Sequence, residues 1–377
     1  MLVFPMIYKS LGTALDLKFA GVGFIGMASY LAFGLGALPT GFLCDKLGAR
    51  LMLVICIAGM AAASVVAVFA RSETGVVVAL ILLGLFGSLY HPAGLSLLST
   101  SIRHLGKGLG IHGMGGTIGD ACAPVVAGVV TARLGWSYSY AVLAVAGGIL
   151  VAFLLRTFRG EPRPQPVAHL GEAAAPSGAG IGRDLILIYA LGAFYGLTFR
   201  VLMTFFPSYL AERVTFIGDS VSRLGWVSTG ILTISLVGPL VGGYLAPNRR
   251  AIERNLLVLF LLLAAASLGF YFAREWALVA VAVPAVLVLY SFQPMQNVLV
   301  AMASHHSRRG RVYGINSAVS FGIGALGAGI GGVVGEKYGM SSIFLVMLGF
   351  CLVEVVLVGV SRYLRERSPD DEVSQAG

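Results

Sequence analysis

Charge is what this chain has least of. Charged residues make up 11% of its 377 positions, against roughly 25% in a soluble globular protein, while hydrophobic residues reach 57%. So few charges cannot clothe a fold of this size in water, which excludes a soluble enzyme or binding domain. Cysteine is scarcer still: Cys44, Cys56, Cys122 and Cys351 are scattered and form no CxxC pair. Neither a disulfide framework nor a zinc site is suggested. No GxxxxGK[ST] phosphate loop occurs, so no nucleotide is expected to drive the protein directly. No Ser-His-Asp or metal-ligand pattern stands in a polar stretch; neither metal, cofactor nor enzymatic activity is expected. Acidic residues number 17 against 26 basic ones, for a net charge of +9. In a soluble chain that excess would suggest nucleic acid. Here the basic residues cluster between apolar stretches, which is a topology signal, and no nucleic-acid partner is expected.

What is abundant is apolar length. The mean hydropathy is +0.88, and apolar segments fall at about 20–43, 51–70, 75–100, 109–132, 136–158, 184–211, 224–246, 252–273, 276–303, 311–335 and 340–362. Each can cross a hydrocarbon core of ~30 Å as a helix, giving eleven full spans with the lipid bilayer as solvent. Before them stands MLVFPMIY, eight residues that cover about 12 Å as helix. It has neither the basic start nor the cleavage site of a signal peptide. The expectation is the tail of a truncated first helix.

Of the 26 Lys and Arg residues, seventeen fall on the side of the 41–50 loop and eight on the other, and one, Arg200, lies inside a span. That imbalance places the 41–50 loop and the C-terminal tail in the cytoplasm. Residues 159–183 carry Pro162, Pro164, Pro166 and Pro176 among Ala, Gly and charges, the composition of a flexible linker. The expected division is an N-terminal bundle over 1–158, the linker 159–183, a C-terminal bundle over 184–363 and a tail over 364–377. A constant shift of 202 lays Gly41 on Gly243, Leu43 on Leu245, Pro92 on Pro294 and Gly108 on Gly310. Two like-oriented bundles related by an axis along the membrane normal follow from such a repeat. Pro247 stands where Asp45 does, so the second loop has lost its acid.

The 41–50 loop reads GFLCDKLGAR. Gly41 removes a side chain where a helix end must approach a neighbour. Asp45 sets one negative charge at the membrane edge, and Lys46 and Arg50 pin the loop to the cytoplasmic side. The spacing Gly41, Leu43, Asp45, Lys46, Gly48, Arg50 resembles the loop between the second and third helices of major facilitator superfamily transporters. LYHPAGLSLL (89–98) with GKGLGIHGMGGTIGDACAP (106–124) is similar to the fosmidomycin-resistance branch of that superfamily. Ala93 stands where that branch often carries an acid, and the acid of this chain is Asp120 instead. The resemblance implies an all-α polytopic fold of 6+6 helices, alternating access around a midplane site, a small-molecule substrate and a gating role for Gly41, Asp45, Lys46, Gly48 and Arg50.

With the stub counted as the first, Asp120 lies about eleven residues into the fifth span, where a charge costs at least ~2.5–3.5 kcal/mol. It is a candidate for proton coupling, with a structural hydrogen bond to a neighbouring helix as the alternative. His112 and Gly116 share its stripe. Arg200, past the middle of the seventh span, needs a partner: Asp120, an anionic substrate held by its guanidinium, or the far surface reached by snorkelling. In the tenth span Tyr290, Gln293 and Asn297 share one face at spacings of three and four, and Gln296 accompanies them. The shift of 202 lays Ser88 and His91 on Tyr290 and Gln293. Together these residues suggest a shared cavity, with interhelical hydrogen bonding as the alternative. His91 is a second protonation candidate, although Pro92 beside it makes helix shaping equally good. Tyr195, Asn316 and Ser320 are further cavity candidates. Glu354 reads as structural, and His305 and His306 as loop residues. Glycine stripes over Gly115, Gly116, Gly119 and Gly128, and over Gly322, Gly324, Gly327, Gly331 and Gly335, are expected to permit close helix approach.

The function expected is secondary active transport of small organic solutes, coupled to protons and directed outward, by a monomer in the inner membrane. Uptake of organic anions and a non-transporting sensor or assembly protein on the same fold are the alternatives.

Overall fold

A bilayer offers no water to an exposed amide, so apolar runs of this length must satisfy their backbone groups internally. Helix does so locally. The computed structural model describes residues 3–101, 105–159, 181–303 and 309–367, and no strand occurs among them. The front half holds α1 (Val3–Leu15), α2 (Phe19–Leu47), α3 (Ala49–Phe69), α4 (Glu73–Gly87), α5 (Tyr90–Ser101), α6 (Leu105–Leu134) and α7 (Trp136–Thr157). The back half holds α8 (Ile181–Arg213), α9 (Val221–Thr233), α10 (Gly238–Tyr244), α11 (Arg249–Phe272), α12 (Glu275–Met302), α13 (Arg309–Ala318), α14 (Leu326–Tyr338) and α15 (Ser342–Glu366).

Eleven segments among the described residues are long and apolar enough to cross a membrane, as the hydropathy pattern anticipates. Three of them are not continuous α-helix. The span Glu73–Gly94 breaks between α4 and α5 just before Pro92, which has no N–H to give the ladder. The span Val221–Tyr244 passes through a 3-10 turn at Ile234–Leu236, ahead of Pro239. A π turn at Val319–Ile323 joins α13 to α14. Hydropathy windows average over such breaks.

The expected stub is present as a short helix that runs on beyond its eight apolar residues: α1 has 13 residues, about 20 Å of helix, and is not among the eleven spans. Phe4, Ile7, Tyr8 and Leu11 carry one buried stripe past the point where the continuous apolar run stops. This helix lies in the seam, touching α2, α6 and α7 of the front half and α8 and α9 of the back half.

Chain reversals follow local chemistry. Gly48 between α2 and α3 and Gly339 between α14 and α15 stand at φ +83° and +86°, where a Cβ is strained. Ser72 and Asn248 cap α4 and α11 by accepting from Gly75 N (3.2 Å) and Ala251 N (2.9 Å), each worth about 1 kcal/mol. The flanking helices turn apolar side chains outward: of α7, only Ser139 and Tyr140 are buried, as lipid-facing helices allow.

The halves are tied at the end of the bundle opposite the 41–50 loop. Lys9 Nζ reaches Asp219 Oδ1 at 3.0 Å, and that bond holds the Asp219 carboxyl below the usual carboxylate range. The Ala20 amide at the start of α2 donates to Glu336 Oε2 of α14 at 2.8 Å, placing an anion at a helix N-terminus. Tyr8, Phe19 and Phe205 pack ring on ring between these ties. Two close helix crossings also join the halves: α2 against the π turn midway along α2, and α6 against α9 nearer the Lys9–Asp219 end. A Cβ on Gly34 would stand 2.3 Å from Gly322 N, and one on Gly128 would stand 2.6 Å from the Val221 carbonyl.

Candidate functional site

The buried carboxylate expected in the fifth span sits on the seam. Asp120 Oδ2, from α6 of the front half, accepts a hydrogen bond from Tyr290 Oη, from α12 of the back half, at 3.2 Å. The Tyr290 ring lies edge-on to Phe199 at 5.7 Å. Behind it Tyr195 donates to the Leu289 carbonyl at 2.8 Å and stacks on Phe292 at 4.0 Å, a brace that fixes this part of α12. Arg200 follows Phe199 on α8. It is 6% exposed, and its guanidinium lies 3.7 Å from the ring centroid of Tyr30 on α2. Such a desolvated cation–π contact is worth about 2 kcal/mol. Arg200 therefore does not snorkel, because an aromatic face from the other half receives it at depth. Among the described residues, Arg200 and Asp120 form no direct ion pair. Phe199 and Tyr290 stand between them: the Arg200 guanidinium lies 5.7 Å from the Phe199 ring, and that ring meets Tyr290.

Toward the 41–50 loop end the same seam is aromatic. His91, after the α4–α5 break, stacks on Phe321 of the π turn at 5.9 Å and meets Phe33 and Tyr90 edge-on. Tyr90 stacks on His112 of α6 at 5.4 Å. His112, two turns before Asp120 on the expected stripe, therefore joins His91 through Tyr90. Along this stretch of α6 a Cβ on Gly113, Gly115, Gly116 or Gly119 would meet nothing within 4 Å. The close helix approach expected of Gly115, Gly116 and Gly119 is thus not made; of that stripe only Gly128 makes it.

The remaining candidates divide. Gln293 and Asn297 are exposed on the α12 face that carries Tyr290. Gln296 points the other way, donating to Asn316 Oδ1 at 2.9 Å and to the Ile188 carbonyl at 3.4 Å. With Ser320 it crowds Gly192, where a Cβ would stand 2.2 Å from Gln296 Nε2. Gln296, Asn316 and Ser320 are packing within the back half. Ser88 is buried against Gly36 and donates to its own Leu85 carbonyl at 2.6 Å. Glu354 is 0% exposed, between α8 and α15, and accepts from Thr198 Oγ1 at 3.1 Å.

In the 41–50 loop, the Gly48 N–H closes α2 on the Cys44 carbonyl at 2.8 Å, Lys46 is exposed and Arg50 lies over Phe158 at 5.5 Å. The side chains of Gly41 and Asp45 lie outside the described ones, as do His305 and His306, nearly all of the 159–183 linker and the tail from residue 368.

The Major Facilitator Superfamily model matches residues 1–292 and 188–377, which together span the whole chain. The chain belongs to the Major Facilitator Superfamily. It is 29% identical over 166 residues, 43% of its length, to the tetracenomycin C resistance and export protein of Streptomyces glaucescens. It is 38% identical over 120 residues, 30% of its length, to the multidrug efflux pump LfrA of Mycolicibacterium smegmatis. These matches span 30% and 23% of those two relatives. The fold is similar to that of a bacterial homologue of the human lysosomal transporter Spinster, crystallised in an inward-facing and occupied conformation. There the TM-score is 0.80 at 15% identity, over 97% of this chain and 94% of that one. The superfamily and its fold are those of transporters, not of enzymes.

Within this superfamily chain, sequence reasoning passed over one charged cluster. Glu253, 2% exposed on α11, accepts from Arg249 Nε (3.2 Å), Ser361 Oγ (2.9 Å) and Arg365 Nε (2.9 Å). Arg249 also bonds Asp184 at the start of α8. Three helices of the back half are bolted together here, at the end where the front half has its 41–50 loop. The i,i+4 pair Arg249–Glu253 was legible; the partners on α8 and α15 were not.

Proposed function

We propose that this chain is a secondary active transporter that moves small organic solutes out of the cell against an inward flow of protons. The observation that carries the reading is the Asp120–Tyr290 hydrogen bond. A lone carboxylate deep in a membrane is costly, and this one joins the two halves beside an open stretch of α6. Protonating Asp120 weakens its hold on Tyr290, because a neutral carboxyl is a poorer acceptor than a carboxylate. Proton loading thereby biases the seam between its two states. Residues 1–158 and 184–363 act as the two bundles that rock, His91 and His112 line the approach, and Gln293 and Asn297 face the solute. The 41–50 loop gates its end of the bundle. The basic-residue count sets that end and the C-terminus in the cytoplasm of an inner-membrane monomer. The export and efflux roles of the two relatives support outward export of organic compounds, and tetracenomycin C is the first probe to try.

The test is accumulation of tetracenomycin C and of a panel of organic dyes in inverted vesicles carrying the protein, with and without an imposed pH gradient. Gradient-dependent uptake that Asp120→Asn abolishes supports the reading; equal uptake with and without the gradient defeats proton coupling. Arg200 motivates a second reading, uptake of organic anions, since its guanidinium has one face on Tyr30 and donors left for a carboxylate or phosphate. Flux of an anionic probe lost in Arg200→Gln and kept in Asp120→Asn would favour it.

A further inference from the structure

Pro124 sits inside α6, and the backbone at that point is held by the other half of the molecule. Val125 N donates to Thr229 Oγ1 at 3.1 Å, and the same hydroxyl donates to the Ala121 carbonyl at 2.8 Å. Ala121 and Val125 are four apart, so they are the two groups that an unbroken helix would bond to each other. A side chain from α9 thus bonds both groups of one step of the α6 ladder, next to the donor that Pro124 lacks. A side chain set into a ladder is one of the recognised causes of a helix bend. We propose that Thr229 is a latch between the two halves: its hydroxyl occupies the Ala121–Val125 gap when the Lys9–Asp219 end is closed, and leaves it when that end opens, letting the two backbone groups bond each other.

The surroundings fit a pivot at this point. On one side of Thr229 the helices touch: a Cβ on Gly225 would stand 2.6 Å from the Pro124 carbonyl, and one on Gly128 would stand 3.0 Å from Gly225 Cα. On the other side they part, since Gly116 and Gly119 of α6 and Gly230 of α9 meet nothing within 4 Å. A small apolar cavity beside the contact is lined by Pro5, Pro124 and Pro207 of α1, α6 and α8, together with Ser228. Pro124 and Pro207 stand inside their helices and each removes one ladder donor, so α6 and α8 are loosened at one level. Pro5 lies in the first turn of α1, where the N–H has no ladder partner. Asp120 immediately precedes Ala121, so the latch and the Tyr290 bond hold one turn of α6 from two helices of the back half.

This inference rests on the alternating-access reading, and its test does not require a solute. Spin labels are placed at Arg71→Cys and Arg274→Cys, exposed on the two halves at the closed end, in a chain with the exposed Cys122 replaced by serine. Distance distributions are recorded in lipid nanodiscs for the parent, Thr229→Val and Thr229→Ser. Valine keeps the shape and strands nothing, because Ala121 and Val125 can then bond each other. The expected result is a rise of about fivefold in the ratio of long to short distances for Thr229→Val, the ratio set by one net hydrogen bond, with Thr229→Ser within about twofold of the parent. A Thr229→Val distribution that coincides with the parent's overturns the latch, as does a Thr229→Ser distribution that follows valine. Populations that shift as expected in a protein that moves no solute would overturn the transport reading and leave the latch standing.

Discussion

α6 and the α13–α14 segment occupy corresponding places in the two halves, and both are rich in glycine, yet they use it in opposite ways. From the π turn through α14 the glycines are contacts: a Cβ would meet Gly196 from Gly324 at 2.7 Å, the Leu197 carbonyl from Gly327 at 2.7 Å and the Phe205 ring from Gly331 at 2.3 Å. In α6 Gly115, Gly116 and Gly119 border open space, and among its described glycines only Gly128 touches a neighbour. A stripe of small residues permits close approach but does not compel it. Where no helix arrives, the same residues leave a bare face between His112 and Asp120.

Several variants would break or sharpen that comparison. The largest effect belongs to the bare face. Asp120→Asn keeps shape and hydrogen-bonding capacity but cannot titrate, so gradient-driven flux in vesicles is expected to fall to background while the protein accumulates normally. Adding Arg200→Gln is expected to recover nothing, since the two residues are not each other's direct partner; recovery in the double variant would restore the ion-pair reading.

Next come the glycines themselves. Gly324→Ala forces a methyl against the Gly196 backbone and is expected to cost about 1–3 kcal/mol, read as a lower melting temperature of the purified protein. Gly116→Ala meets no atom and is expected to gain about 0.5–1 kcal/mol from helix propensity. Shifts of the same sign in the two variants would end the distinction drawn between the stripes.

The polar residues of α12 offer the same contrast on one helix. Gln296→Leu strands Asn316 Oδ1 inside the back half and is expected to destabilise by about 1–3 kcal/mol. Gln293→Leu, on the exposed face, is expected to leave the melting temperature unchanged and to alter which solutes compete for flux.

The smallest effect concerns the exposed Lys9–Asp219 tie. The depressed Asp219 pKa means that this tie is fully present above the ordinary carboxylate pKa and is lost only as pH falls through the lowered value. Its contribution is therefore constant from neutral to mildly acid conditions. Salt screens such a pair, so the distance distribution at the closed end should respond less to Lys9→Ala than to Thr229→Val, and less still at high ionic strength.

Much of the architecture was legible in the chain because hydropathy is a local property. The eleven spans and the all-α class follow from apolar length against the thickness of a bilayer, and the depth of Asp120 follows from counting along its helix. Tyr290, Gln293 and Asn297 share a face because helical spacing requires it. What a linear pattern does not carry is the rotation of each helix about its own axis and the identity of the helix it faces. Those decided that Asp120 takes Tyr290 rather than Arg200, and that Arg200 rests on Tyr30. They also turned Gln296 inward to Asn316, left Gly116 bare while Gly324 is pressed against Gly196, and brought Thr229 into the gap behind Pro124. Each depends on contacts between residues distant in sequence, and in a membrane such contacts are chosen by packing and hydrogen bonding between helices rather than by apolar surface, which every span has in equal measure.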